Sequence, residues 1–240
     1  MRVALASALS IDNDIEKNIN TLKTVVSEHK NQVDLICFGE AFLQGFDALS
    51  WYYDRDKNIA SALDSKPIEY IKTIAKENKV GIGFGFFEVD ETENSIYCAY
   101  MIVDYLGKSI NHFRRVSTGW KEVDIVDHHY KEGNQFHVFK YQDKKITLAL
   151  CGDLWCEGNI NKINSLDKDF ILWPLHIDYT LDQWQKEKVD YINQSSKVNV
   201  PVLMVNNISQ TSYGGAYHFN KNEIIDSLEL GRSGVLIVDV

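Results

Sequence analysis

Along this 240-residue chain, short apolar runs that stop at a glycine or a polar turn alternate with longer segments whose apolar residues recur at helical spacing. Apolar runs too short for a helix read as strands, and the amphipathic segments between them must lay one face on the sheet those strands form. The chain starts in a strand, Met1 to about Ser7, followed by a helix capped by Asp12 or Asp14, with Ile15, Ile19, Leu22, Val25 and Val26 on one face. Val33 to Phe38 is a buried strand ended by Gly39; Ser65 caps a helix with Pro67 in its first turn and Ile68, Ile71, Ile74 and Ala75 inward. Val80 to Phe87 is a strand, and Ser95–Asp104 and Ile110–Arg115 make a hairpin turned by Tyr105 to Lys108. Strands resume at Lys145–Cys151, Phe170–Trp173 and Val202–Asn206, with a helix over Leu181–Lys197 and a last strand from Gly234. The expected class is α/β, with helices outside packed sheets. The 3 prolines are scattered and no linker, repeat or low-complexity tract interrupts the chain, so residues 1–240 are read as one domain.

Charge and cysteine content narrow the function. A net charge of -9 gives no general attraction to nucleic acid or anionic lipid. The 4 cysteines are too few for a disulfide scaffold and no pair has CxxC spacing, so neither a zinc ribbon nor a thioredoxin-like motif is indicated and a reducing compartment fits. The apolar N-terminus runs within a few residues into Asp12, Asp14 and Glu16, as a strand does and a signal peptide does not. No segment approaches the roughly 18 apolar residues of a membrane helix. A cytoplasmic protein is expected. The 7 histidines show no HxxxH or HExxH spacing, and the adjacent His128 and His129 point in two directions from a loop, so no metal is expected.

Three segments carry residues suited to chemistry. Ile146–Leu150 alternates into a strand that stops at Cys151-Gly152-Asp153; a strand end delivers a side chain on a rigid support, and Gly152 permits a sharp turn whose N–H could serve an oxyanion. The residues alone leave Cys151 open as a nucleophile or a buried packing cysteine. Glu40 ends a second apolar strand and is followed by Ala41-Phe42-Leu43; a carboxylate there is costly to desolvate unless paired or functional, and otherwise is a solvated loop residue. In the third segment, Asn111 to Glu122, Arg114, Arg115 or Lys121 could place a positive charge near a thiol or an oxyanion, or form a solvated strand end.

Together these segments resemble the nitrilase, or carbon-nitrogen hydrolase, superfamily. The likeness covers almost the whole chain: Arg2 to Ala6, Asn18, Phe38-Gly39-Glu40 (the family usually reads Phe-Pro-Glu), Gly107, Phe113-Arg114-Arg115, Leu150 to Leu154, Val205-Asn206-Asn207 and Gly214-Gly215. The resemblance implies a four-layer α-β-β-α sandwich, a homodimer, no cofactor, and a Glu-Lys-Cys set in which Glu40 is the general base and Cys151 the nucleophile. It also places Glu122 as a second glutamate beside the nucleophile. One position departs: the family's lysine is Arg115 here, a planar fork instead of a compact ammonium. Arg115 serves the oxyanion, Lys121 takes its place, or the site is impaired and kept for binding. The implied activity is hydrolysis of a small amide, ω-amide or N-carbamoyl compound through a thioester, with nitriles less favoured. A cysteine-dependent acyltransferase is the neighbouring alternative. Trp155, Trp173, His176 and Tyr179 are expected around a partly apolar pocket; Trp184 is divided between pocket and core, and Cys156 is expected to be a small buried hydrophobe.

Overall fold

β1 (Arg2–Ser7), in the computed structural model, which describes residues 1–240, turns Val3 and Leu5 to one core and Ala4 and Ala6 to another. Side chains alternate across a strand, so one that is apolar on both faces must be covered on both sides. β2 (Leu35–Cys37), β3 (Gly81–Asp90) and β4 (Ser95–Val103) are likewise buried; in β4, Ile96, Cys98, Tyr100 and Ile102 face one way and Ala99, Met101 and Val103 the other. With β5 (Ser109–Arg114) and β12 (Gly234–Asp239) they form a six-stranded sheet, ordered β12-β1-β2-β3-β4-β5, parallel across β1, β2 and β3 and antiparallel at its flanks.

A second six-stranded sheet repeats the plan. It comprises β6 (Val138–Tyr141), β7 (Lys144–Leu148), β8 (Phe170–Leu175), β9 (Val202–Asn206), β10 (Ala216–Asn220) and β11 (Glu223–Leu228). Their order is β11-β10-β9-β8-β7-β6, with β7, β8 and β9 parallel. α1 (Ile15–His29) and α3 (Lys66–Asn78) bury Ile19, Leu22, Val26, Ile68, Ile71 and Ile74 against the first sheet. Between them lies the single turn α2 (Tyr53–Asp56). α4 (Glu157–Asn164) and α5 (Leu181–Ser196) add Ile160, Ile163, Trp184 and Tyr191 to the larger core. The layers run helix, sheet, sheet, helix, the four-layer α-β-β-α sandwich that the resemblance implies.

Local chemistry explains most element ends. Asp14 Oδ1 accepts the Lys17 N–H at 3.1 Å and caps α1. Ser65 stands at the cap of α3 without making the cap bond, so the fixed φ of Pro67 supports that start instead. Gly107 (φ 79°) and the Asp104 carboxylate, which accepts from Leu106 and Lys108 N–H, close the β4–β5 hairpin.

Several expectations are corrected. β7 ends at Leu148, and Cys151 opens a 3-10 turn, Cys151–Trp155, beyond the strand. β8 runs through Pro174: bonding toward β9 falls on odd positions such as Ile171, so position 174 points to the side where β7 has already ended. β6, β10, β11 and α4 are absent from the sequence reading; β11 is a partly exposed, polar edge strand and α4 carries mostly polar residues. Cys156 is exposed, not packed. The His128 and His129 rings lie together, with centroids 4.1 Å apart, and do not diverge. No helix is long and apolar enough to cross a membrane.

Candidate active site

Both sheets send the ends of their central parallel strands to one place. After β2 the chain turns at Gly39, whose N–H donates to Asn207 Oδ1 at 2.8 Å, while Asn207 Nδ2 donates to the Glu40 carbonyl at 2.8 Å. The Glu40 N–H donates to Leu175 O at 3.1 Å, so this loop of the first sheet is fastened to strand ends of the second. Proline at position 39 would lack that N–H, and a Cβ there would lie 2.7 Å from Asn207 Oδ1; the amide of Asn207 occupies the space a larger residue needs. Ala41 sits at φ 48°, and Gly85 underneath is glycine because a Cβ would collide with the backbone of residues 39 to 41.

The Glu40 side chain is fully buried. Its Oε1 accepts from Arg115 Nη1 at 2.7 Å and from the Cys98 thiol at 3.3 Å, whereas its Oε2 has no partner. Arg115, 2% exposed, also donates from Nε to Ser117 Oγ at 2.9 Å. Burial works against the guanidinium charge, but the Glu40 carboxylate outweighs it and holds Arg115 protonated. Burial and then the Glu40 charge push the Cys98 thiol well up, so it remains a donor.

Cys151 has φ 35°, a backbone conformation an L-residue adopts only when its surroundings impose it. Trp173 Nε1 donates to the Cys151 carbonyl at 2.8 Å, and the Cys151 thiol points at the His176 carbonyl at 3.7 Å. Asp153 fixes the turn: it accepts from Leu150 N at 2.9 Å and from Val116 N and Ser117 N at 3.0 and 2.7 Å. One buried carboxylate thus clamps the segment carrying Arg115 to the turn carrying Cys151. Burial pushes its pKa to about 6, against the pull of these N–H groups and Arg115. Gly152 meets the guanidinium directly, since a Cβ there would lie 2.6 Å from Arg115 Nη2 and 2.9 Å from Ser117 Oγ. Burial pushes the Cys151 thiol up to about 12, Glu40 adds to this and Arg115 opposes it. The thiol is therefore protonated at rest, and any attack by sulfur needs a base.

The structure brings Glu40, Arg115, Cys151 and Gly152 together, with the Trp173 indole and the His176 carbonyl against Cys151. Lys121 lies 2.6 Å from Glu132 Oε1 and donates to Tyr130 O at 2.7 Å, so it is engaged away from the thiol. Glu122 is exposed on the wall of a small cavity. Trp173 is fully buried and supports the Cys151 backbone from the core; Trp155 is 43% exposed and meets Tyr191 edge-on at 5.1 Å, and Tyr179 packs on the same Tyr191. His176 stacks flat on Phe46 with centroids 4.1 Å apart, and burial lowers its pKa. Trp184 is core, donating from Nε1 to Tyr217 Oη at 2.7 Å. Cys98, Asp153 and Ser117 went unnoticed in the sequence. Asp153 and Ser117 are each two residues from a candidate, which is the one local signal for them; Cys98 has none. Asp127, His128 and His129 have donor atoms within 4.8 Å of one another and could hold a cation, but on an exposed loop.

Comparison with known proteins gives the family and the fold. The carbon-nitrogen hydrolase family model matches residues 2–235. A deaminated glutathione amidase of Dictyostelium discoideum is 27% identical over 189 residues, 72% of this chain and 62% of that protein. An arylacetonitrilase of Fusarium vanettenii is 25% identical over 48% of this chain and 36% of its own length. The chain therefore spans less than two thirds of these curated relatives. Among solved structures, an amidase from Nesterenkonia sp. AN1, with acrylamide added at its active-site cysteine, superimposes with a TM-score of 0.83 at 14% identity, over 100% of this chain and 93% of that one. The glutamine-dependent NAD+ synthetase of Acinetobacter baumannii superimposes with a TM-score of 0.82 at 21% identity, over 98% of this chain and 44% of that one.

Proposed function

Because the chain belongs to the carbon-nitrogen hydrolase family, we propose that it hydrolyses the C–N bond of a small carboxamide, ω-amide or N-carbamoyl compound through a thioester on Cys151. The observation that carries this reading is the convergence of Glu40, Arg115 and Cys151, with one buried Glu40 oxygen left unpartnered. In this reaction Glu40 takes the thiol proton as sulfur bonds to the carbonyl carbon. The Gly152 N–H and the charge of Arg115 stabilise the oxyanion. Collapse breaks the C–N bond, and Glu40 returns the proton to the departing amine. Water then adds to the thioester with Glu40 again as base, releasing the acid and restoring the thiol. At rest Arg115 is paired with the Glu40 carboxylate and fixes the base; once Glu40 has taken the thiol proton that pairing charge is gone, and the guanidinium beside Gly152 serves the oxyanion.

A hydrolysis screen over an amide panel, with intact-mass detection of an acyl adduct, tests this. Wild type is expected to turn over at least one amide, and Cys151→Ala to lose both turnover and adduct; turnover surviving in that variant overturns the assignment. The Arg115–Glu40 pair also supports a second reading, a binding protein whose base is held by the arginine. If wild type is inert and Arg115→Lys gains activity, that reading replaces the first. Amine-dependent product formation would instead identify an acyltransferase. We further propose a cytoplasmic homodimer, on the family resemblance; sedimentation velocity giving only the chain mass would refute the dimer.

A further inference from the structure

A cavity of about 180 Å³ adjoins the candidate active site, lined among others by Phe46, Asp47, Trp51, Trp120 and Glu122. Liquid water occupies about 30 Å³ per molecule, so the space suits a ligand fragment of about six heavy atoms. Two of its walls lead to the chemistry. Phe46 stacks on His176, whose carbonyl receives the Cys151 thiol, and Gly119 lies against Arg115, with a Cβ there 3.3 Å from Nη2.

The lining combines three aromatic faces with two exposed carboxylates. Its one cation, Lys121, is offset by Glu132 at 2.6 Å. Further carboxylates lie close by: Asp12 accepts the Asp47 N–H at 3.1 Å, and the charges of Asp47, Asp178 and Asp12 all reach His176. Asp12 is itself raised, by burial and then by the charge of Asp47, as expected where carboxylates crowd. Burial lowers the His176 pKa and so works against a compensating charge there. Trp120, 2% exposed, belongs to the same wall, and its buried indole Nε1 has no partner within the chain.

From this lining we propose that the cavity binds the far end of the substrate and that this end is a protonated amine, so the preferred substrate is a short carboxamide bearing a cationic group. Aromatic faces attract a cation through their quadrupoles, and carboxylates at a low-dielectric mouth concentrate it there. Asp47 and Glu122 act as specificity residues. The proposal rests on the amide-hydrolase reading above.

The test compares kcat/KM for three amides of similar length: γ-aminobutyramide, its uncharged isostere valeramide, and the anionic succinamate. The cationic amide is expected to lead valeramide by about tenfold or more, and raising salt to erode that lead. In Asp47→Asn/Glu122→Gln the ratio of cationic to uncharged kcat/KM is expected to fall about tenfold, whatever happens to the absolute rates. A lead for valeramide or succinamate, or a ratio indifferent to salt and to the double substitution, overturns the proposal while leaving the hydrolase reading intact. Absence of turnover on all three and on the wider panel, with no adduct on Cys151, refutes the hydrolase reading itself.

Discussion

Arg115 dictates its neighbours. A guanidinium is broader than an ammonium, and Gly152 and Gly119 are the residues whose missing side chains make room for it. Gly152→Ala is expected to displace the fork and lower kcat/KM on the order of 100-fold, because displacements of about 1 Å at a reacting centre cost that much. Gly158→Ala, where a Cβ meets nothing within 4 Å, should leave the rate unchanged. Asp153 holds the same arrangement through backbone alone. Asp153→Ala strands three N–H groups, and urea titration should show a loss of about 2–4 kcal/mol together with loss of turnover. At this scale the sequence disclosed identities and left roles open. Cys151 and Glu40 stood out because each follows an apolar strand and a turn-permitting glycine is adjacent. Nothing local connects Cys98 to Glu40, which are 58 residues apart.

Among the elements, β3, β4 and β5 are joined by more than their ladder. Glu88 on β3, with its side chain 1% exposed, accepts from Arg114 of β5 at 2.6 and 2.9 Å and meets His112 at 2.7 Å; Arg114 also reaches Asp90 at 2.8 Å. Burial would raise Glu88, but the hydrogen bonds from His112 and Arg114 prevail and lower it. Hydrogen bonds from Thr92 and Arg114 lower Asp90 to about 2. Because both folded values lie below the unfolded ones, the stability they confer is full above about pH 4.5 and fades as pH falls toward 2. Arg114→Met leaves the buried Glu88 with His112 as its remaining partner and should cost about 1–3 kcal/mol at neutral pH, with a shallower acid-side decline across that window. Urea unfolding at a series of pH values measures both. Element types were legible from periodicity, since α1, α3 and α5 carry clear apolar stripes and β1 to β4 are apolar on both faces. The polar edge strand β11 was not, because an edge facing solvent has no apolar signature to read.

The whole molecule depends on two sheets packed face to face, with α5 sealed over the second by Trp184. Its indole is 1% exposed, donates to Tyr217 Oη, and Tyr217 in turn donates to Glu229 at 2.9 Å. Trp184→Ala should cost about 3–5 kcal/mol in denaturant unfolding. Trp155→Ala, at a position 43% exposed, should cost much less. By itself the sequence determined the alternation of strands and helices, the burial of both faces of the central strands, and the presence of a carboxylate and a thiol just beyond two of those strands. Those properties follow from nearest neighbours and from periods of two and 3.6 residues. Only the tertiary structure decided that Arg115 reaches across 75 residues to Glu40 while Lys121 turns to Glu132, and that Trp184 belongs to the core. It also decided that Asn207 fastens the Glu40 loop and that Glu122 borders an acidic, aromatic cavity. The reason is physical: these partners meet only when the two sheets stack, and burial between sheets, which sets charge pairing and pKa, has no counterpart along the chain.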